Sequence, residues 1–273
     1  MNPPPPAALH LRSDFSLLRA AWSVGVMASA LGPAGYGTGM LADWNSLSGA
    51  VAFWKEMRKN GLRPLLGCEL ETRHGPASGS ILLAVTNNSG YQSLCRILTR
   101  RTKGPPPGLE DLAGRVEGLA ALTSGKEGML HRLLQAGRSV EANRWLNQLR
   151  STFGEDSTFL QVLGQHPSDS LRAALFLDIA EELALPVVAA MEFRYAKPED
   201  AELLRAVTSI GTLTLLDETA DGKPENPTGF HLRPAAEWAE CSSAFPGAVE
   251  RASTLAASWS LPLFDESLAN AGG

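Results

Sequence analysis

Short apolar runs alternate with longer amphipathic stretches along the chain. Met40–Asp43, Pro64–Leu70, Ser80–Thr86, Gly118–Thr123, Phe159–Leu163 and Pro186–Phe193 have the length and composition of buried strands. Between and beyond them, helices are predicted over about Phe15–Leu31, Ser46–Asn60, Ser89–Arg101, Lys126–Ala136, Ser139–Thr152, Ser168–Leu183, Pro198–Ile210 and Phe245–Ser258. Ser168-Asp169-Ser170 supplies an N-cap ahead of Leu171, Leu175, Ile179 and Leu183, which fall on one helical face. Pro198-Glu199-Asp200 puts proline and acid in a first turn, where a missing N–H does no harm and the helix dipole favours anions. Strand-then-helix order, repeated, predicts a parallel sheet or barrel closed by crossover helices.

Composition narrows this picture. With 273 residues, 44% of them hydrophobic, the chain has ample material for one large core and is not a disordered segment. Residues 1–8, with Pro3 to Pro6, read as a disordered proline-rich tail, residues 9–264 as a single domain and 265–273 as a frayed end. Gly104-Pro105-Pro106-Pro107-Gly108 reads as a surface loop. No apolar run approaches the ~20 residues that cross a bilayer, and no membrane partner is expected. Three scattered cysteines give neither a disulfide framework nor a zinc knuckle, which fits a reducing cytoplasm. A formal charge of −5 argues for weak or no direct DNA binding. The densest basic run, Arg96, Arg100, Arg101 and Lys103, reads as the solvated end of a helix.

Three predicted strand ends carry candidate chemistry, and in parallel α/β folds the site lies at those ends. In Leu9-His10-Leu11-Arg12, positions i and i+2 face one side of a strand, so H-x-H there would chelate a metal. Here Arg12, a permanent cation, stands in the second position. Asp43 ends the next strand, followed by Trp44, and either ligates or caps the following helix. Glu69 follows Gly67-Cys68, with Cys68 read as an inert core thiol.

Taken in order, these segments resemble the polymerase and histidinol phosphatase (PHP) domain found at the N-terminus of the bacterial DNA polymerase III alpha subunit. Asn87-Asn88-Ser89-Gly90-Tyr91 followed by Leu94 resembles that family's N-x-x-G-Y-x-x-L. Glu192-Phe193-Arg194-Tyr195-Ala196-Lys197-Pro198-Glu199-Asp200-Ala201 resembles its D-V-H-Y-x-x-P-E-D-A, and Phe230-His231-Leu232-Arg233-Pro234 its closing segment. Asp43-Trp44-Asn45-Ser46-Leu47-Ser48-Gly49 leans toward the error-prone polymerase branch. The resemblance implies an α/β fold, a distorted (β/α)7 barrel of TIM-like shape. In active members it also implies two or three metal ions that activate water for phosphoester hydrolysis.

Against that pattern the chain departs repeatedly. His10, Asp43, Glu69 and Glu192 match ligand positions, the last as glutamate for aspartate. Arg12, Trp44, Ser80 and Arg194 stand where the family has histidine. Leu163 falls near another such position, with His166 three residues on. The expectation is a vestigial metal site: no cofactor, or zinc or manganese if activity survives. Arg12 and Arg194 are then expected to pair with Asp43, Glu69 or Glu192. The expected role is an inactive scaffold in DNA replication or repair, docking DNA polymerase or exonuclease subunits. Its length leaves no room for polymerase domains, so a stand-alone paralogue or the front of a split polymerase is expected. The rival is a phosphoesterase with a reduced site built from His10, Asp43, Glu69 and Glu192.

Overall fold

A computed structural model describes residues 4–163, 167–216 and 229–261. Eight strands are found there: β1 (Ala7–Leu11), β2 (Thr38–Leu41), β3 (Arg63–His74), β4 (Ala77–Val85), β5 (Leu119–Leu122), β6 (Thr158–Val162), β7 (Val187–Ala189) and β8 (Glu192–Phe193). They form one mixed sheet in the order β7-β6-β5-β4-β3-β2-β1-β8. The strands at its two ends, β7 and β8, are joined by only Ala190 and Met191, so the sheet curls until its edges meet. The seventh barrel strand expected from the resemblance is therefore present but broken. At the break the Gln161 side-chain amide donates to the Ala190 carbonyl at 2.7 Å, and the Ala190 N–H turns to Val162 O at 3.0 Å.

Not every connection is a crossover. β3 and β4 form an antiparallel hairpin paired from Gly67↔Ala84 to His74↔Ala77, and β4 also runs antiparallel to β5. The tight link is Gly75-Pro76, with Gly75 at φ +56°, a left-handed conformation that glycine adopts without strain. The remaining pairs are parallel. Helices pack outside: α1 (Val24–Leu31), α2 (Ala50–Lys59), α3 (Asn88–Arg101), α4 (Leu109–Leu112), α5 (Met129–Gln135), α6 (Ser139–Phe153), α7 (Pro167–Glu182), α8 (Ala201–Thr212), α9 (Ala235–Cys241) and α10 (Ala248–Ser258). None of the described helices is long and apolar enough to cross a membrane.

Several boundaries differ from the sequence reading, three of them with consequences for the site. Ala7 and Ala8, assigned to the tail, are fully buried in β1 because they pair with Thr38 and Gly39 of β2. The Gly37 N–H also holds Pro6 O at 3.1 Å. The helix predicted from Phe15 begins only at Val24, capped by the Ser23 side chain. Residues 13–23 are instead a loop folded over the strand ends, turning at Leu18 with φ +61°. Helix α2 starts at Ala50 with Gly49 as its N-cap, so Asp43 caps no helix. His166 and the expected frayed end lie outside the described residues.

Two glycines of the recognised motifs are fixed by packing. A Cβ on Gly90 would lie 1.8 Å from Gly118 O, and one on Gly67 2.5 Å from Leu83 O. Asn87 caps α3 by accepting the Gly90 N–H at 3.0 Å. The N-x-x-G-Y segment therefore serves the join between α3 and β5, away from the polar site.

Candidate functional site

Alternation along β1 sends His10 and Arg12 inward, at the carboxyl end of the strand, and both are fully buried. His10 pairs in register with Glu192 of β8. Gln161 Nε2 lies 3.1 Å from His10 Nδ1, and His10 Nε2 lies 2.8 Å from Glu69 Oε2. The orientation of Gln161 is set by its bond to the Ala190 carbonyl, so its N–H faces His10 Nδ1. The imidazole then carries its own proton on Nε2, toward Glu69.

Glu69, buried in β3, accepts from four side chains. Its Oε1 accepts from Ser80 Oγ at 2.6 Å and Ser124 Oγ at 2.8 Å. Its Oε2 accepts from His10 and, at 2.9 Å, from Arg12 Nε, with Arg12 Nη2 also in contact. Burial alone would raise its pKa, but Arg12 and then His10 hold it well below the usual carboxylate range.

The Arg12 guanidinium lies among three acids. Besides Glu69 it meets Glu192 Oε1 at 3.2 Å from Nε and Glu127 Oε2 at 2.8 Å from Nη2. Burial opposes its charge, yet Glu192, Glu69 and Glu127 more than offset that and raise its pKa. Glu127, between β5 and α5, also accepts from Arg19 Nη1 at 2.9 Å and Arg194 Nη2 at 3.3 Å. Desolvation pushes Glu127 up, but Arg12 and Arg194 pull it down to about 2. Arg194 Nε donates to Glu192 Oε1 at 2.6 Å. The two arginines at ligand positions thus face Glu69, Glu127 and Glu192.

Asp43 belongs to a neighbouring but distinct arrangement. Its carboxylate accepts from Ser13 N at 2.7 Å, Ser13 Oγ at 2.9 Å and Ser16 Oγ at 2.6 Å. Burial still dominates these bonds and raises its pKa to about 6. Trp44, half-buried, covers the mouth: Arg19 stacks on its ring at 3.9 Å and Arg12 at 5.2 Å. Ser80 bonds Glu69, and Leu163 sits at the end of β6. Burial pushes the Cys68 thiol far up, as befits a core residue.

His10, Glu69 and Glu192 each offer a donor atom within 4.8 Å of the others. Sequence reasoning missed Glu127, Gln161, Arg19, Ser13, Ser16 and Ser124. Gln161 had a signal, as the one uncharged amide inside the apolar Phe159–Val162 run. Glu127 had only a weak one, an acid just after a strand-end Ser124-Gly125 turn.

Fold and site together define a class: an α/β barrel whose polar centre lies at the carboxyl ends of its strands. A solved amidohydrolase from Chromobacterium violaceum has a similar fold, with TM-score 0.52 at 15% identity over 69% of this chain and 87% of that one. The family is more specific: the PHP domain model matches residues 8–163, and the chain belongs to that family. The DNA polymerase III subunit alpha of Treponema pallidum is 29% identical over 221 residues, 75% of this chain and 19% of that protein. The error-prone DNA polymerase of Pseudomonas fluorescens is 31% identical over 188 residues, 67% and 17% respectively. The chain spans about a fifth of the length of these curated relatives.

Proposed function

We propose that this chain is a PHP module of the polymerase III alpha lineage. It serves DNA replication or repair as a non-hydrolytic scaffold that docks a polymerase body or an exonuclease subunit. One observation carries the non-hydrolytic part. The Arg12 guanidinium binds the carboxylates of Glu69 and Glu192, which with His10 would otherwise hold a metal. The donor set fits a metal cluster poorly in this arrangement. A dication beside Arg12 meets a fixed positive charge. The lone pair on His10 Nδ1 is taken by Gln161, and Nε2 points its proton at Glu69. Asp43 is committed to serine donors. No hydrolytic step is therefore derived through a metal.

The docking role draws support from the relatives, polymerases about five times longer in which this region is one part. Weak direct DNA binding and location in the cytoplasm belong to the same proposal. The test is metal content. Protein loaded with manganese or zinc, then dialysed, is expected to retain none and to leave a generic phosphodiester intact. Stoichiometric metal with hydrolysis that disappears in Asp43→Ala would establish the second reading, a phosphoesterase with a reduced site. The grouping of His10, Glu69 and Glu192 is what favours that alternative. A pull-down from native extract that retains polymerase or exonuclease subunits supports the scaffold role, and retention of neither counts against it.

A further inference from the structure

We propose that the mouth of the barrel is a metal-independent site for a terminal phosphate group, held closed by the carboxylate of Glu127. Three guanidinium groups from separate elements converge on that carboxylate: Arg12 Nη2 at 2.8 Å, Arg19 Nη1 at 2.9 Å and Arg194 Nη2 at 3.3 Å. Convergent guanidinium donors match the oxygens of a phosphate monoester, which offers more acceptors and more charge than a carboxylate. The guanidinium planes are already set. Trp44 backs Arg19, and Phe230 lies 4.3 Å from Arg194. Arg12 Nη1 adds a buried donor without a hydrogen-bond partner among the described residues. The cradle is reachable, since the Arg19 and Glu127 side chains are 35% and 25% exposed.

Opening needs only a side-chain rotation. The Glu127 backbone is pinned by Ser80 N to its carbonyl at 3.0 Å, beside a turn closed by Gly128 N to Gly125 O at 2.9 Å. Arg12, Arg19 and Arg194 balance Glu69, Glu127 and Glu192. Turning Glu127 outward leaves one positive charge uncompensated, and a phosphate monoanion restores the balance. The idea rests on the reading that guanidinium groups, not metal ions, fill the strand ends. A free phosphate and the 5′ end of a nucleic acid strand present the same chemistry to these donors.

Calorimetric titration of the full chain in EDTA tests this, with inorganic phosphate and with 5′-phosphorylated and 5′-hydroxyl oligonucleotides as probes. Glu127→Ala is expected to bind phosphate at least about tenfold more tightly than the parent chain, since a charge-assisted competitor has gone. Adding Arg19→Gln should remove that gain. Preference for the phosphorylated oligonucleotide over its hydroxyl twin would assign the nucleic-acid source, and binding of phosphate alone the free one. Should Glu127→Ala not fold, Glu127→Gln with phosphate-dependent melting gives the same comparison. Variants no tighter than the parent, with or without manganese, overturn this proposal alone. Binding seen only with manganese and abolished by EDTA overturns the ion-pair reading beneath it as well.

Discussion

Replacing Arg12 with methionine is the sharpest test of the charge network. Methionine keeps much of the volume but removes the cation that Glu69, Glu192 and Glu127 share. Arg12, Glu69 and Glu192 are fully buried, so water cannot take over as counterion. Removing one partner of a buried ion pair typically costs about 3–5 kcal/mol. That corresponds to roughly 6–20 °C in Tm for a chain of this size. The sign of the pH response separates this from simple loss of packing. In the parent chain Glu69 is held low, and Glu127 is drawn from 4.5 to about 2. Carboxylates with depressed pKa stabilise above their unfolded value, and that stability is lost as pH falls through the folded one. For Glu127 alone the shift is worth on the order of 3 kcal/mol. Without Arg12, burial becomes the dominant influence on Glu69 and raises its pKa, so the variant gains relative stability as acid neutralises the site. Urea denaturation of both proteins at pH 7, 5 and 3.5 reads this directly. The gap should be several kcal/mol at pH 7 and shrink toward acid. A gap under about 1 kcal/mol, or one independent of pH, would refute the network as the source of stability.

Asp43 responds in the opposite direction. Its pKa rises from 3.8 to about 6, so its ionisation costs on the order of 3 kcal/mol as pH rises through that window. Asp43→Asn should flatten the decline in urea stability between pH 4 and 7, and an unchanged slope would count against the assignment. Rebuilding the imidazoles with Arg12→His, Trp44→His and Arg194→His should confer manganese or zinc binding, read as retained metal after dialysis and a metal-dependent Tm. A triple variant that folds but holds no metal would show that these three positions are not what the site lacks. Gly90→Ala should lower stability by about 3 kcal/mol or more, because the new methyl meets the Gly118 carbonyl. Chemical denaturation showing a loss under about 1 kcal/mol would contradict that packing.

Much of the fold was legible because strand runs and helix stripes differ in period. The runs around Pro64–Leu70, Ser80–Thr86 and Phe159–Leu163 overlap β3, β4 and β6 closely. The sense of β4 was not legible. Periodicity carries no direction, and Gly75-Pro76 signals a turn without saying that the whole barrel edge reverses there. The stretch from Phe15 was misread because Phe15, Leu17, Leu18 and Trp22 imitate a helical stripe. In the fold its polar residues are the ones committed, with Ser13 and Ser16 on Asp43 and Arg19 on Glu127. Of the site, residues on strands were found because alternation and motif spacing point them inward. Glu127 and Arg19 were missed because they sit on loops, where no period constrains direction and only the folded geometry brings them within 2.9 Å.

The arginine at position 12 also bears on why such a barrel folds. Glu69 and Glu192 sit near each other with no exposure to water, an arrangement that repels itself unless a cation lies between them. A metal ion can supply that cation, but then folding becomes linked to metal availability, because ligands bind only when deprotonated and assembled. A guanidinium on β1 supplies it covalently, at every metal concentration and every ordinary pH, since arginine does not lose its proton. It also brings directional donors that a bare ion lacks, and these extend the network outward to Glu127. Arg194 and Arg19 then close the charge balance at the surface. On this reading the three arginines are one coupled network. Arg12 alone would satisfy the buried pair but leave Glu127 weakly compensated, whereas Arg19 and Arg194 without Arg12 could not reach Glu69 through a buried strand end. Replacing any two of them together should therefore cost an amount different from the sum of the two single losses, which is a statement about coupling that pairwise mutant cycles among these positions measure directly.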